Sequence, residues 1–76
     1  MKNILFVDDE VELLDSLRAR LRKHRSDWNM IFVESGERAI KELEQQHIDL
    51  IVSDVRMPGM DGGQLLTVVK QRWPDT

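Results

Sequence analysis

IVSDVRMPGMDG, residues 51–62, is the stretch of this chain that decides the fold. A short apolar run ends in one carboxylate, Asp54, and a loop rich in Pro and Gly follows at once. Such a run is typical of a strand buried on both faces of a parallel sheet. Residues 4–7 repeat the pattern and end in a carboxylate pair, Asp8 and Asp9. If the two runs are neighbouring parallel strands, three carboxylates meet at one edge of a sheet.

The rest of the chain alternates between strand and helix patterns. We predict strands over residues 3–8, 28–34 and 49–54, with helices over about 11–25, 37–46 and 62–72. Asp9 with Glu12, and Asp61 with Gln64, form the spacing of a capping box. The positions expected to face the sheet are Val11, Leu14, Leu17 and Leu21, then Ala39, Ile40 and Leu43, and finally Leu65, Leu66, Val69 and Trp73. The order βαβαβα predicts an α/β fold with a doubly wound parallel sheet.

Composition narrows the class of protein. The chain has 76 residues, enough for one domain, and a net charge of −3, which offers no electrostatic case for nucleic-acid binding. Cysteine is absent, so disulfides and thiolate metal sites are excluded. The apolar run near the N-terminus is too short for a signal peptide or a membrane span. We therefore expect a cytoplasmic domain that binds no membrane.

The carboxylates predict a metal site outside the carboxyl ends of the strands, where ligands bind in open α/β sheets. Converging carboxylates repel one another unless a cation compensates them, and Mg²⁺ prefers oxygen ligands. We expect Asp9 and Asp54 to bind Mg²⁺ directly, Asp8 to act as an outer or water-mediated ligand, and the backbone carbonyl of Arg56 to add a further oxygen. Asp54 is also the best candidate nucleophile for phosphoryl transfer, because it stands alone after the central apolar run.

The chain resembles the N-terminal part of a bacterial response-regulator receiver domain of the chemotaxis-regulator type. The resemblance rests on residues 7–10 (VDDE), Asp54 and residues 57–62 (MPGMDG). It implies a flavodoxin-like sheet with strand order 2-1-3, in which Pro58 and Gly59 shape the loop after the third strand. It also implies that a histidine kinase transfers a phosphoryl group to Asp54, with Mg²⁺ held by Asp8, Asp9 and Asp54.

The chain departs from the family pattern at its end. Receiver domains have five strands, and residues 1–76 stop where the fourth strand would begin, so we expect an incomplete receiver domain. The hydroxyl residue after the fourth strand and the Lys after the fifth are then missing. Strand 3 would become an open edge carrying Ile51 and Val52, and such edges recruit partners. This predicts self-association through strand 3 or, alternatively, a weakly stable monomer.

Two other functions stay open at this stage. The chain could be a receiver-like fragment that only binds a partner or itself and is never phosphorylated. It could also be a Mg²⁺-dependent aspartyl phosphohydrolase, but such enzymes typically carry a second Asp two residues after the nucleophile, and Arg56 stands there. The leading expectation is a phosphoacceptor module that at most catalyses its own phosphorylation and dephosphorylation, and is otherwise not an enzyme.

Overall fold

Strands and helices alternate along the chain, as the sequence predicts, in the computed structural model, which describes residues 1–54 and 59–76. The elements are β1 (Lys2–Val7), α1 (Val11–Leu21), a 3₁₀ turn (Arg22–His24), β2 (Trp28–Val33), α2 (Gly36–Gln45), β3 (Leu50–Ser53) and α3 (Gly62–Arg72). The three α-helices have 11, 10 and 11 residues. Within the described ranges, no helix is long and apolar enough to cross a bilayer.

The strands form a parallel sheet in the order β2-β1-β3, which confirms the predicted α/β fold and strand order. Val7, the last residue of β1, lies beside Val33 of β2 and Ser53 of β3. The three strands therefore end level with one another. Residues that follow β1 and β3 directly are placed side by side at the same rim of the sheet.

Helices cover both faces of the sheet, which explains why the strand runs are continuously apolar. Side chains alternate between faces along a strand, and on one face α2 and α3 cover Leu5 and Val7 of β1. On the other face α1 covers Ile4 and Phe6. The central strand is thus buried from both sides, as expected for a strand in the middle of a parallel sheet.

The first helix begins differently from the prediction. The prediction that Asp9 and Glu12 form a capping box is wrong. Glu10 is the N-cap residue of α1, and its side chain makes no capping hydrogen bond. Instead, the Glu10 N–H donates to Asp8 Oδ1 at 2.9 Å. Asp8 thus closes a local turn between strand and helix, which leaves the Asp9 side chain out of the helix start.

The first helix also ends earlier than predicted, and fewer of its apolar side chains are buried than predicted. It ends at Leu21 and tightens into the 3₁₀ turn Arg22–His24, so the regular helix does not reach Arg25. Leu14 is buried in α1, whereas Val11 is exposed. The helix meets the sheet along a narrow stripe, and its first residue lies beyond the rim of that contact.

The other two helices begin as their sequences predict. The Ser35 hydroxyl oxygen accepts a hydrogen bond from the Arg38 N–H at 3.2 Å and caps α2. In α3 the capping box is confirmed: Asp61 Oδ1 accepts from the Gln64 N–H at 2.8 Å, and Gln64 Oε1 accepts from the Asp61 N–H at 3.0 Å. Leu66 is exposed against the prediction, because the buried stripe of α3 lies elsewhere, at positions 65 and 69.

β3 lies at one edge of the sheet formed by the described residues, as predicted. Its apolar exposure comes from Leu50 and Val52, which are 52% and 46% exposed. Ile51 packs against the buried cluster on the α2 and α3 face, so it does not contribute to the exposed surface as expected. The alternation of side chains along the strand accounts for this difference.

Candidate metal centre

Two backbone hydrogen bonds position the acidic residues at the rim of the sheet. The Asp54 N–H donates to the Val7 carbonyl at 3.0 Å, and the Asp8 N–H donates to the Val33 carbonyl at 3.2 Å. These bonds extend the parallel ladders one residue beyond β1 and β3. Asp8 and Asp54 are therefore held by the sheet itself, on the rigid part of the fold.

The structure brings the three predicted carboxylates together. One carboxylate oxygen from each of Asp8, Asp9 and Asp54 lies within 4.8 Å of the other two. In octahedral Mg²⁺ coordination, ligand oxygens lie about 3 Å apart when adjacent and about 4.2 Å apart when opposite, given Mg–O distances of about 2.1 Å. The observed cluster is of the size that fits such an ion, after small side-chain movements.

The donor set also fits a hard cation. All three groups are carboxylates, and carboxylate oxygens suit Mg²⁺, whereas soft metals select thiolates. Asp8 Oδ1 already accepts the Glu10 N–H, which leaves Asp8 less free to turn toward an ion than a carboxylate without such a bond. The expected outer position of Asp8 stays a prediction.

Asp54 adjoins a cleft between α1 and β3 with a volume of about 280 Å³. The cleft is lined by Asp8, Asp54 and Ser53 on its polar side and mostly by apolar side chains such as Leu14 and Leu17 elsewhere. The Ser53 hydroxyl donates to the Asp54 carbonyl oxygen at 3.0 Å. An apolar wall beside carboxylates limits water and strengthens their interaction with a bound cation.

Part of the predicted site lies outside the described residues. Arg56, whose carbonyl is an expected ligand, belongs to residues 55–58, and so does Pro58. Gly59 has a φ angle of +77°, in the left-handed region that favours glycine. The expected turn at this glycine is therefore present, and the Arg56 ligand stays a prediction.

The sequence did not reveal one contact near the site. Met60 packs directly on Gly36, the first residue of α2, so closely that a Cβ atom on Gly36 would lie 3.0 Å from Met60 Cγ and Sδ. This contact fixes Met60 against the start of α2. The sequence marked Ser35-Gly36 as a turn into a helix, but no local pattern predicts which distant side chain approaches the glycine.

Family comparison identifies the class of protein. The model of the response regulator receiver domain family matches residues 4–76, so the chain belongs to this family. The resemblance stated from the VDDE, Asp54 and MPGMDG residues is thereby confirmed.

The curated relatives are regulatory proteins of bacteria. The chain is 36% identical over 72 residues to the hydrogenase transcriptional regulatory protein HoxA of Cupriavidus necator, covering 95% of this chain and 14% of that protein. It is 38% identical over 71 residues to the alkaline phosphatase synthesis transcriptional regulatory protein PhoP of Bacillus subtilis, covering 93% of this chain and 29% of that protein. The chain thus spans less than a third of either relative.

Solved structures share the fold. The response regulator protein TrrA of Thermotoga maritima, in complex with Mg²⁺ and BeF, is 31% identical with a TM-score of 0.86, covering 99% of this chain and 64% of that one. In a second structure TrrA is in complex with the histidine kinase ThkA, and there the TM-score is 0.87 at 30% identity, covering 100% and 64% of the two chains. The chain is the receiver domain of a response regulator, a signalling module of two-component systems.

Proposed function

We propose that this receiver domain accepts a phosphoryl group on Asp54 from the phosphohistidine of a histidine kinase, with Mg²⁺ as cofactor. The observation that carries the proposal is the meeting of three carboxylate oxygens within 4.8 Å at the strand ends. Three carboxylates at this distance repel one another in the absence of a cation. A bound divalent cation would relieve that repulsion and allow the site to accept an anionic phosphoryl group.

The transfer exchanges one bond to phosphorus for another. A carboxylate oxygen of Asp54 forms a bond to phosphorus, the phosphorus–nitrogen bond of the phosphohistidine breaks, and its electron pair returns to the imidazole nitrogen. The sheet holds Asp54 by its backbone bond to Val7 at 3.0 Å, so the nucleophile is positioned before the donor arrives. Positioning and charge stabilisation are the main contributions that a protein makes to phosphoryl transfer.

The residues that would hold Mg²⁺ are Asp9 and Asp54 as direct ligands, Asp8 through water, and the Arg56 carbonyl. When bound, Mg²⁺ offsets the negative charge of the incoming phosphoryl oxygens. Asp8 keeps its hydrogen bond from the Glu10 N–H and so links the site to the start of α1. The structure of TrrA with Mg²⁺ and BeF supports Mg²⁺ binding by similarity, and the role of each ligand is part of the proposal.

The proposed partner is a histidine kinase, and the structure of TrrA with ThkA supports this by similarity. In this proposal the domain is phosphorylated once and turns over no external substrate, beyond catalysing its own phosphorylation and dephosphorylation. The cytoplasmic location expected from the sequence is part of the same proposal.

The intact mass of the protein tests the phosphoacceptor. After incubation with Mg²⁺ and acetyl phosphate, we expect a gain of about 80 Da, the mass of one phosphoryl group. Asp54→Asn and removal of Mg²⁺ by a chelator should each abolish the gain, and Asp75→Asn, the same change at an exposed position, should leave it intact. A folded, Mg²⁺-binding protein without any gain would contradict the proposal and favour a receiver-like binding module, and repeated turnover of a phosphoester would favour a phosphohydrolase.

We also propose self-association through the β3 edge, because Leu50 and Val52 are exposed there. Pairing of this edge between two copies would cover both side chains and use backbone groups on the outer side of β3. Sedimentation velocity over a range of concentrations tests this. Val52→Lys should shift the protein to monomer, whereas Leu66→Lys, at a site of similar exposure on α3 (43% against 46%), should not. A monomer at every concentration would contradict this second proposal.

A further inference from the structure

The positive charge of this chain is concentrated at one end of α1. Five of its 11 Lys and Arg residues lie between positions 18 and 25, although the net charge is −3. Because α1 begins beside the carboxylates and runs back along the sheet, its last turn lies at the opposite end from Asp54. The basic region is therefore separate from the metal centre.

Three of these arginines surround a groove with a volume of about 380 Å³. Arg18, Arg22 and Arg25 form its walls, and Met30 and Phe32 of β2 form its floor. The Arg18 guanidinium carbon lies 4.9 Å from the centre of the Phe32 ring, a cation–π contact that holds one wall over the floor. This basic groove combines cationic walls with an apolar base.

The helix macrodipole does not account for all of these cations. The helix macrodipole favours cations in the last turn, but the effect fades beyond it, and Arg25 follows the 3₁₀ turn. Arg18 pairs with Asp15 at 3.7 Å, and both side chains are exposed, so water weakens this pair. Among the residues that the structure describes, Arg22 and Arg25 form no ion pair.

A second groove, of about 690 Å³, shares Arg22 and Arg25 with the first and adds Arg20 and Lys23. The shared arginines can therefore be approached from two sides. A ligand in the basic groove would meet cations in both directions. Within the described part of the chain, no carboxylate lines either groove.

We propose that the basic groove binds an acidic peptide segment of a partner protein. Carboxylates of the peptide would make paired hydrogen bonds with the guanidinium groups of Arg22 and Arg25, whose planar forks match carboxylate geometry. An apolar side chain between two acidic residues would lie on Met30, beside the Phe32 ring that Arg18 covers. Such a ligand satisfies both the charge of the walls and the apolar character of the floor.

A nucleic acid fits the groove less well. Single-stranded nucleic acid binds by stacking bases on exposed aromatic rings along an extended basic surface. The groove contains one ring, Phe32, and the Arg18 guanidinium already covers it at 4.9 Å. The net charge of −3 also opposes association with a long polyanion.

Fluorescence anisotropy tests the proposal with a labelled synthetic peptide that alternates Glu and Leu. We expect binding that weakens as salt rises, and weakens by roughly tenfold or more in the double variant Arg22→Gln/Arg25→Gln, because hydrogen bonds between charged groups are the strong ones. The control double variant Lys41→Gln/Lys70→Gln removes the same charge from exposed sites of α2 and α3 and should bind as the unaltered protein does. Far-ultraviolet circular dichroism and thermal unfolding should be unchanged in both.

Three results would overturn the proposal. One is equal binding of the matching peptide that has Gln in place of Glu, and another is equal or tighter binding of a single-stranded oligonucleotide. The third is equal loss of affinity in both double variants, which would indicate an effect of overall charge. Asp54→Asn should not change peptide binding, so failure here and failure of the phosphoacceptor proposal can be told apart.

Discussion

The two faces of the sheet are covered to different extents. Among the described residues, the buried cluster on the face under α2 and α3 contains eight, including Leu5, Leu43 and Leu65. On the face under α1, the buried cluster contains three, Ile4, Phe6 and Leu14. The helices of the first face carry side-chain caps, and α1 has none. The comparison indicates that the α2 and α3 face supplies most of the stability, while the α1 face borders the basic groove and the cleft beside Asp54.

We expect the largest difference between the faces in the stability that is lost when a leucine is truncated. Leu65→Ala removes a fully buried side chain from the α2 and α3 face and should lower the free energy of unfolding by about 3–4 kcal/mol. Leu17→Ala, the same change at a partly buried site of α1, should lower it by about 1–2 kcal/mol. Urea denaturation followed by circular dichroism measures both. Equal losses would show that the two faces contribute equally and remove the basis of the comparison.

Mg²⁺ should reduce the difference in local stability between α1 and the helices on the other face. A ligand present at about 100 times its dissociation constant stabilises the folded state by about 2.7 kcal/mol. Because Asp8 and Asp9 lie just before α1, which has no side-chain capping bond, we expect hydrogen exchange of the α1 amides to slow more than that of the α2 and α3 amides. Asp54→Asn should remove most of this protection. Uniform protection of all three helices would indicate that the ion acts on global stability alone.

The contact between Gly36 and Met60 provides a third test, on the well-packed face. Gly36→Ala places a Cβ atom 3.0 Å from Met60 Cγ and should cost about 1–2 kcal/mol of stability by overpacking. In a Met60→Ala background the same glycine change should cost less, since Met60 Cγ and Sδ are gone and only the contact with Cβ, at 3.1 Å, remains. Additive effects in this double-mutant cycle would show that Met60 moves away without strain.

The smallest expected effect is a pH dependence of stability that comes from Asp49, at the amino ends of the strands. The Asn3 N–H donates to Asp49 Oδ2 at 2.8 Å, and this hydrogen bond, aided by His47, holds the pKa of Asp49 below its ordinary value of 3.8. The carboxylate therefore stabilises the folded state above the pKa of the unfolded chain, and that contribution disappears as pH falls through the lower folded pKa.

Thermal unfolding between neutral and acidic pH measures this contribution. Asp49→Asn should flatten the acidic part of the stability curve, and Asp75→Asn, at an exposed position, should leave its shape unchanged. A curve that keeps its acidic slope in Asp49→Asn would assign the slope to other carboxylates. Because the bond joins β1 to the segment before β3, it acts on the sheet and on both faces alike.

The sequence by itself determined the features that depend on neighbours along the chain. The order of the elements followed from apolar periodicity, and the Asp61 and Gln64 cap from two residues in one helical turn. The nearness of Asp8 and Asp54 followed from topology, because parallel strands end at a common rim. These features need only local sequence and one general rule of sheet architecture.

Only the tertiary structure decided the features that depend on contacts between distant residues. The exposure of Val11 and Leu66 was set by how each helix lies on the sheet, and helical periodicity alone cannot give that orientation. The Met60 contact with Gly36 and the placement of Arg18 over Phe32 likewise join segments that are far apart in the chain. Side-chain packing selects such contacts after the elements have formed, and a single sequence carries no local signal for them.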